Sequence, residues 1–174
     1  MISGVDTGAL TLAEADADAA AVVRVLAEAG VRDAVVATHL TRLGGAHVTL
    51  SLEAADADAL LTAALPAGEV THAAVAVEQA HAVRSSGRLV HFPGVELLVG
   101  TLPVAEVLQR TAVDRVHVLG GTGEAAGEVL LQTRGHVRPA YASGEVVLAA
   151  EWAAGRTLVP FEVPVPTPCC VDHG

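Results

Sequence analysis

Between residues 11 and 30 the apolar side chains Leu12, Ala15, Ala19, Val22, Val23, Leu26 and Ala27 recur at three- and four-residue spacing. This pattern predicts an amphipathic helix, with Glu14, Asp16 and Asp18 suited to its positive N-terminal end and Gly30 placed to close it. Directly afterwards, residues 32–40 and 46–52 are rich in β-formers, and Thr41-Arg42-Leu43-Gly44-Gly45 between them predicts a hairpin. A second helix is expected over 54–65, ahead of Pro66-Ala67-Gly68. The imperfect alternation of Val70, His72, Val75 and Val77 predicts a strand over 69–77. With a weak strand over 2–10 the order becomes β, α, β, β, α, β. That is the order of a ferredoxin-like split βαβ unit, with two helices on one face of a four-stranded antiparallel sheet.

From residue 83 onward the pattern changes. Short strands are expected over 89–92, 95–99, 115–119, 128–133, 145–150 and 157–163, with one helix over 103–111. Pro164, Pro166 and Pro168 then make an extended segment that cannot lie inside a sheet. The expected fold class is therefore α/β (α+β): a ferredoxin-like half over 1–82 and a β-rich half over 83–174, on a mixed or mainly antiparallel sheet. A chain of 174 residues needs no disulfide or metal staple to fold. With 52% hydrophobic but only 2% aromatic residues, its core must be built from Val, Leu and Ala.

A formal charge of -10 repels phosphate backbones and anionic lipid, so neither a nucleic-acid nor a membrane partner is expected. No apolar run reaches the length of a membrane span and no basic leader precedes an apolar stretch, which makes a cytoplasmic location the expectation. All ten basic residues are arginine. Chemistry that depends on a lysine amine is excluded, whether as a phosphate-loop cation, an imine former or a general base.

Cys169-Cys170-Val171-Asp172-His173 brings both cysteines and one of the eight histidines into the last six residues. Thiolates with an imidazole suit zinc or another soft metal, and a further histidine would complete the set. Adjacent cysteines tend to diverge, so a vicinal disulfide, a two-thiol trap or a plain chain end are the competing readings. If 84–88 closes a hairpin, His81 faces His91 across two strands and the pair can share a metal. If 77–84 is helical, that pairing is lost.

Gly121-Thr122-Gly123-Glu124-Ala125-Ala126 follows a predicted strand, and locally it resembles the G-x-G-x-x-A fingerprint of Rossmann-type reductases. The resemblance implies a dinucleotide pyrophosphate against the backbone of Gly121 and Gly123 at a helix start. The remaining chain, however, reads as strands and prolines instead of further βαβ units. Glu78, Glu96 and Glu162 lie among apolar neighbours and are candidates for a buried acid or base.

The leading expectation is a soft-metal-binding protein, or a metal- or thiol-dependent enzyme with a small-molecule ligand. Its metal site is expected from Cys169, Cys170 and His173 with His81 and His91. The alternatives are a nucleotide-dependent enzyme using Gly121 and Gly123, and a non-catalytic binding or assembly protein that forms a homo-oligomer through its proline segment.

Overall fold

A computed structural model describes residues 1–121, 123–153 and 155–163. The first half contains β1 (Ile2–Ala9), α1 (Leu12–Glu28), β2 (Val35–Thr41), β3 (His47–Glu53), α2 (Ala57–Ala64), α3 (His72–Ala82) and β4 (Arg88–His91). A 3-10 turn (Val95–Leu97) leads to β5 (Thr101–Pro103), α4 (Val104–Arg110), β6 (Arg115–Val118) and β7 (Gly123–Glu124). β8 (Leu130–Gln132), β9 (Ala140–Ala142), β10 (Glu145–Trp152) and β11 (Leu158–Pro160) follow. The described residues thus form a mixed α/β fold of four helices on one 11-stranded mixed sheet, ordered β1-β3-β2-β4-β9-β10-β11-β8-β5, with β6 joining β10 to β7.

α1 begins where Thr11 and Glu14 form a reciprocal capping box, which satisfies backbone donors that the first turn leaves unpaired. Ala15, Ala19, Val22 and Leu26 recur on one side of it and are buried against Val36, Val48, Leu50 and Leu52 of β2 and β3. The small alanines let the helix lie close to the sheet.

The strand expected over 69–77 is not there. A single bridge, Asp6 with Glu69, touches the outer edge of β1, and the chain then enters α3. Thr71 caps this helix by accepting from the Ala74 N–H, and Ala73, Ala74, Val77 and His81 are its buried residues, at helical spacing. Val70 and Val75, which suggested a strand, are exposed. The sheet therefore grows from β2 into β4 instead of gaining a fourth strand beside β1, so its order differs from that of a split βαβ unit. α3 also covers the face opposite α1 and α2. Its approach is so close that a Cβ on Gly4 would lie 2.2 Å from the Ala74 carbonyl oxygen.

The stretch 95–99, expected as a strand, begins with the 3-10 turn Val95–Leu97 and forms no strand. Buried apolar residues gather in two clusters, one on each half of the sheet. The halves are stitched by the β4–β9 pair Arg88 with Ala140, by Leu89 N–H donating to Pro139 O at 2.7 Å and by Tyr141 N–H donating to Gly87 O at 2.8 Å. No helix among the described residues is long and apolar enough to cross a membrane.

Candidate functional site

A pocket of about 300 Å³ opens where β4 stops, walled by Leu12, Thr38, His39, Leu40, Ser86 and Tyr141 among others. The cause is strand length. β4 pairs with β2 only as far as Arg88 with Thr38, and the preceding residues turn back toward α3. β2 runs on to Thr41 without them, leaving a gap between β2 and β9.

Strand alternation supplies the side chains beneath this gap. β3 directs Thr49, Ser51 and Glu53 to the α3 side, and the register Ala37 with Ser51 and His39 with Thr49 puts His39 on that face too. Ser51 Oγ lies 2.7 Å from His39 Nε2 and 2.7 Å from His81 Nδ1. The other nitrogen of His81, Nε2, lies 3.0 Å from the Tyr141 hydroxyl and 3.3 Å from Glu53 Oε2. Ser51 is fully buried and His39 and His81 nearly so, whereas the Glu53 side chain is 45% exposed. A continuous polar file thus runs from the pocket wall to a half-exposed carboxylate.

Burial favours neutral rings in this file. Desolvation, aided by His81, pushes His39 down to about 4. Desolvation also lowers His81, with Arg84 adding to it and Glu53 opposing. The Tyr141 phenol is pushed up to about 12 by the same burial. Both imidazoles are neutral at pH 7, each carrying one N–H.

Among the described residues, His39 Nδ1 and Thr49 Oγ1 are buried without a hydrogen-bond partner, as are His91 Nε2 and Arg138 Nε elsewhere in the fold. Each such group costs on the order of 1–3 kcal/mol. His39 and Thr49 are directly paired on one face of the sheet, and His39 lines the pocket. Gly87 brings the loop down onto both rings. Its φ is +134°, and a Cβ there would lie 2.7 Å from His39 Cε1 and 3.2 Å from Tyr141 Cδ2.

Arg88, on the pocket wall, is not free to hold an anion. Its Nε donates to both oxygens of Glu162 at 2.8 Å, and its two terminal nitrogens donate to Asp16 at 2.7 and 3.0 Å. Burial works against the charged forms of Arg88 and Glu162, but their pairing outweighs it, so Arg88 is held above its ordinary value and Glu162 below. His136 Nε2 lies 3.1 Å from the same carboxylate.

His81 and His91 do not face each other as expected. His81 stands on α3, where helical periodicity points it into the polar file, and both its nitrogens are engaged there. His91 stands on β4 and lines a different pocket, of about 380 Å³, with Val23, Leu26, Val31 and Glu96. Among the described residues, no three His, Cys, Asp or Glu side chains are grouped to hold a metal ion. Cys169, Cys170 and His173 lie outside the described residues.

Gly121 and Gly123 sit in the β6–β7 hairpin, where His117 pairs with Glu124 and Val118 with Gly123. The chain folds back as a strand, so the helix start that a pyrophosphate would need is not formed. The three acids picked out from the sequence do not meet either. Glu78 accepts from the Gly4 N–H at 2.8 Å, Glu96 lines the His91 pocket and Glu162 holds Arg88.

Sequence reasoning passed over Ser51, Glu53, Thr49 and Tyr141. The one available signal was the polar half of His47-Val48-Thr49-Leu50-Ser51-Leu52-Glu53, whose alternation ordinarily marks a solvent face. No protein-family model, curated protein or solved structure matches the chain.

Proposed function

We propose that the pocket at the end of β4 is a small-molecule site in which His39 is the general base of a proton abstraction. The observation that carries this reading is His39 itself: 3% exposed, on the pocket wall, with Nδ1 buried and unpartnered beside an equally unpartnered Thr49 hydroxyl. Two unsatisfied polar groups on one face cost stability, and a ligand that hydrogen-bonds to both recovers that cost. A volume of about 300 Å³ is at the small end of ligand pockets. The walls are mostly apolar and Arg88 is already neutralised, so the reading favours a small, uncharged ligand with a polar head.

A library of small neutral alcohols, amides and ketones, screened by ligand-observed NMR, tests this. Binders should perturb the His39 ring signals and be lost in Gly87→Val, and a ligand C–H acidified by a carbonyl should exchange in D2O only when His39 is present. No binders, or binders indifferent to both Gly87→Val and His39→Gln, would overturn the reading.

One observation favours soft-metal binding as a second reading. Glu162 is held by Arg88 of the same pocket wall, and Pro164, Pro166, Pro168, Cys169, Cys170 and His173 follow it in the sequence. Two thiolates and an imidazole are soft-metal ligands, and a further histidine would complete the set. His81, with both nitrogens bonded, fits this role less well. Elemental analysis of untagged protein should find zinc or copper that Cys169→Ser/Cys170→Ser loses; equal metal content in both ends this reading.

A further inference from the structure

The polar file behind His39 has a direction as well as a length. We propose that Ser51, His81 and Glu53 form a proton relay serving His39, its polarity set by Glu53; this rests on the general-base reading of His39. A carboxylate can only accept, and Glu53 Oε2 lies 3.3 Å from His81 Nε2. A lone pair on Nε2 would oppose those of the carboxylate, so Nε2 carries the hydrogen and shares it with the Tyr141 oxygen at 3.0 Å. A neutral imidazole has one N–H. His81 Nδ1 is therefore an acceptor, and the Ser51 hydroxyl donates to it over 2.7 Å. The Ser51 oxygen in turn accepts from His39 Nε2–H, also at 2.7 Å. That leaves His39 Nδ1 with a bare lone pair, and Nδ1 is the atom for which the fold supplies no partner. Starting from the Glu53 contact, each hydrogen bond in the file falls into one orientation, which ends in an acceptor on His39, a residue of the pocket wall.

Proton transfer along the file balances. The ligand X–H bond breaks and a His39 Nδ1–H bond forms, while the electron pair stays on X. His39 Nε2–H passes its proton to Ser51 Oγ, and the original Ser51 hydroxyl proton passes to His81 Nδ1. His81 Nε2–H passes its proton to Glu53, which becomes a carboxylic acid in contact with water. Both imidazoles end neutral with their tautomers exchanged. No buried imidazolium has to persist, which removes the objection that burial makes His39 a poor place to store a proton. Ser51, His81 and Glu53 act through His39 and are positioning residues in this scheme.

Ring 15N NMR of the uniformly labelled full chain at pH 7 reads the tautomers directly, with His39→Gln giving the assignment. His39 and His81 are expected as Nε2–H tautomers in the native protein. In Glu53→Ala the Tyr141 hydroxyl is left to donate to His81 Nε2, and both rings should switch to Nδ1–H. Tyr141→Phe should leave both as they were. Glu53→Met keeps more of the side-chain volume and replaces the alanine variant if that one loses its fold, with the same switch expected. His39 does not touch Glu53, so a merely structural role for Glu53 would not move the His39 tautomer. An Nδ1–H His39 in the native protein, or a Glu53 variant that alters His81 alone, overturns the relay. Tautomers as stated without any ligand refute the general-base reading alone, and a ligand at His39 with reversed tautomers refutes the relay alone.

Discussion

On the strand pair β2–β3 one backbone carries two opposite surfaces. Under α1 and α2 lie Val36, Val48, Leu50 and Leu52, while under α3 lie His39, Thr49, Ser51 and Glu53. The apolar side gains from burial whatever the detailed geometry, because the hydrophobic effect has no direction. The polar side must be matched atom by atom, and at His39 Nδ1 and Thr49 Oγ1 it is not. An unmatched polar face beneath a helix lowers stability, so its presence marks one place where this fold gives up stability and where a ligand can restore it.

The largest test of that contrast is on the apolar side. Leu50→Ala, at a fully buried position, should cost about 2–5 kcal/mol, measured by urea denaturation. A loss below that of Ser51→Ala would reverse the roles assigned to the two faces.

The pH dependence of stability is next in size. His39 has its value lowered from 6.5 to about 4 in the folded protein, so protonation favours the unfolded chain. Its contribution is complete above about pH 6.5 and is lost as pH falls toward 4, to the extent of about 3 kcal/mol at most. His81 and His91, lowered by the same desolvation, act in the same sense. Stability measured at pH 7.5 and pH 4.5 should fall clearly in the native protein and less in His39→Gln. An unchanged slope in that variant would show that His39 is not held neutral by the fold.

Ser51→Ala should cost about 1–3 kcal/mol, because two imidazole nitrogens lose their shared partner. Replacement of a bonded hydroxyl by a methyl with no loss would mean that the file is not a connected network. The smallest effect is expected at Glu162→Gln, about 1 kcal/mol or less, since Arg88 keeps Asp16 as a partner. Its more sensitive measure is limited proteolysis, where cleavage beyond residue 160 should quicken.

Much of the first half was legible from periodicity alone: α1 with Gly30 just past its end, the β2–β3 hairpin and the stretch forming α2 follow from spacing that local physics enforces. Residues 69–77 were misread because Val70 and Val75 imitate alternation, while the buried set Ala73, Ala74, Val77 and His81 is dominated by small residues that carry little hydrophobic signal. The glycine run at 120–123 was ambiguous for a related reason. Glycines permit both a hairpin and a phosphate-binding turn, and only the next element separates the two.

The candidate site was hidden in another way. His39, Ser51, His81 and Tyr141 lie on β2, β3, α3 and β9, and no local spacing connects them. By itself the sequence determined the mixed α/β class, an aromatic-poor core, the acidic surface and the absence of lysine chemistry, because these depend on composition and on short-range periodicity. The tertiary structure alone decided that α3 covers the polar face of the sheet and that β4 ends early beside His39. Both outcomes depend on which strand edges and faces pair over long separations, a competition between packing arrangements that residue spacing does not encode.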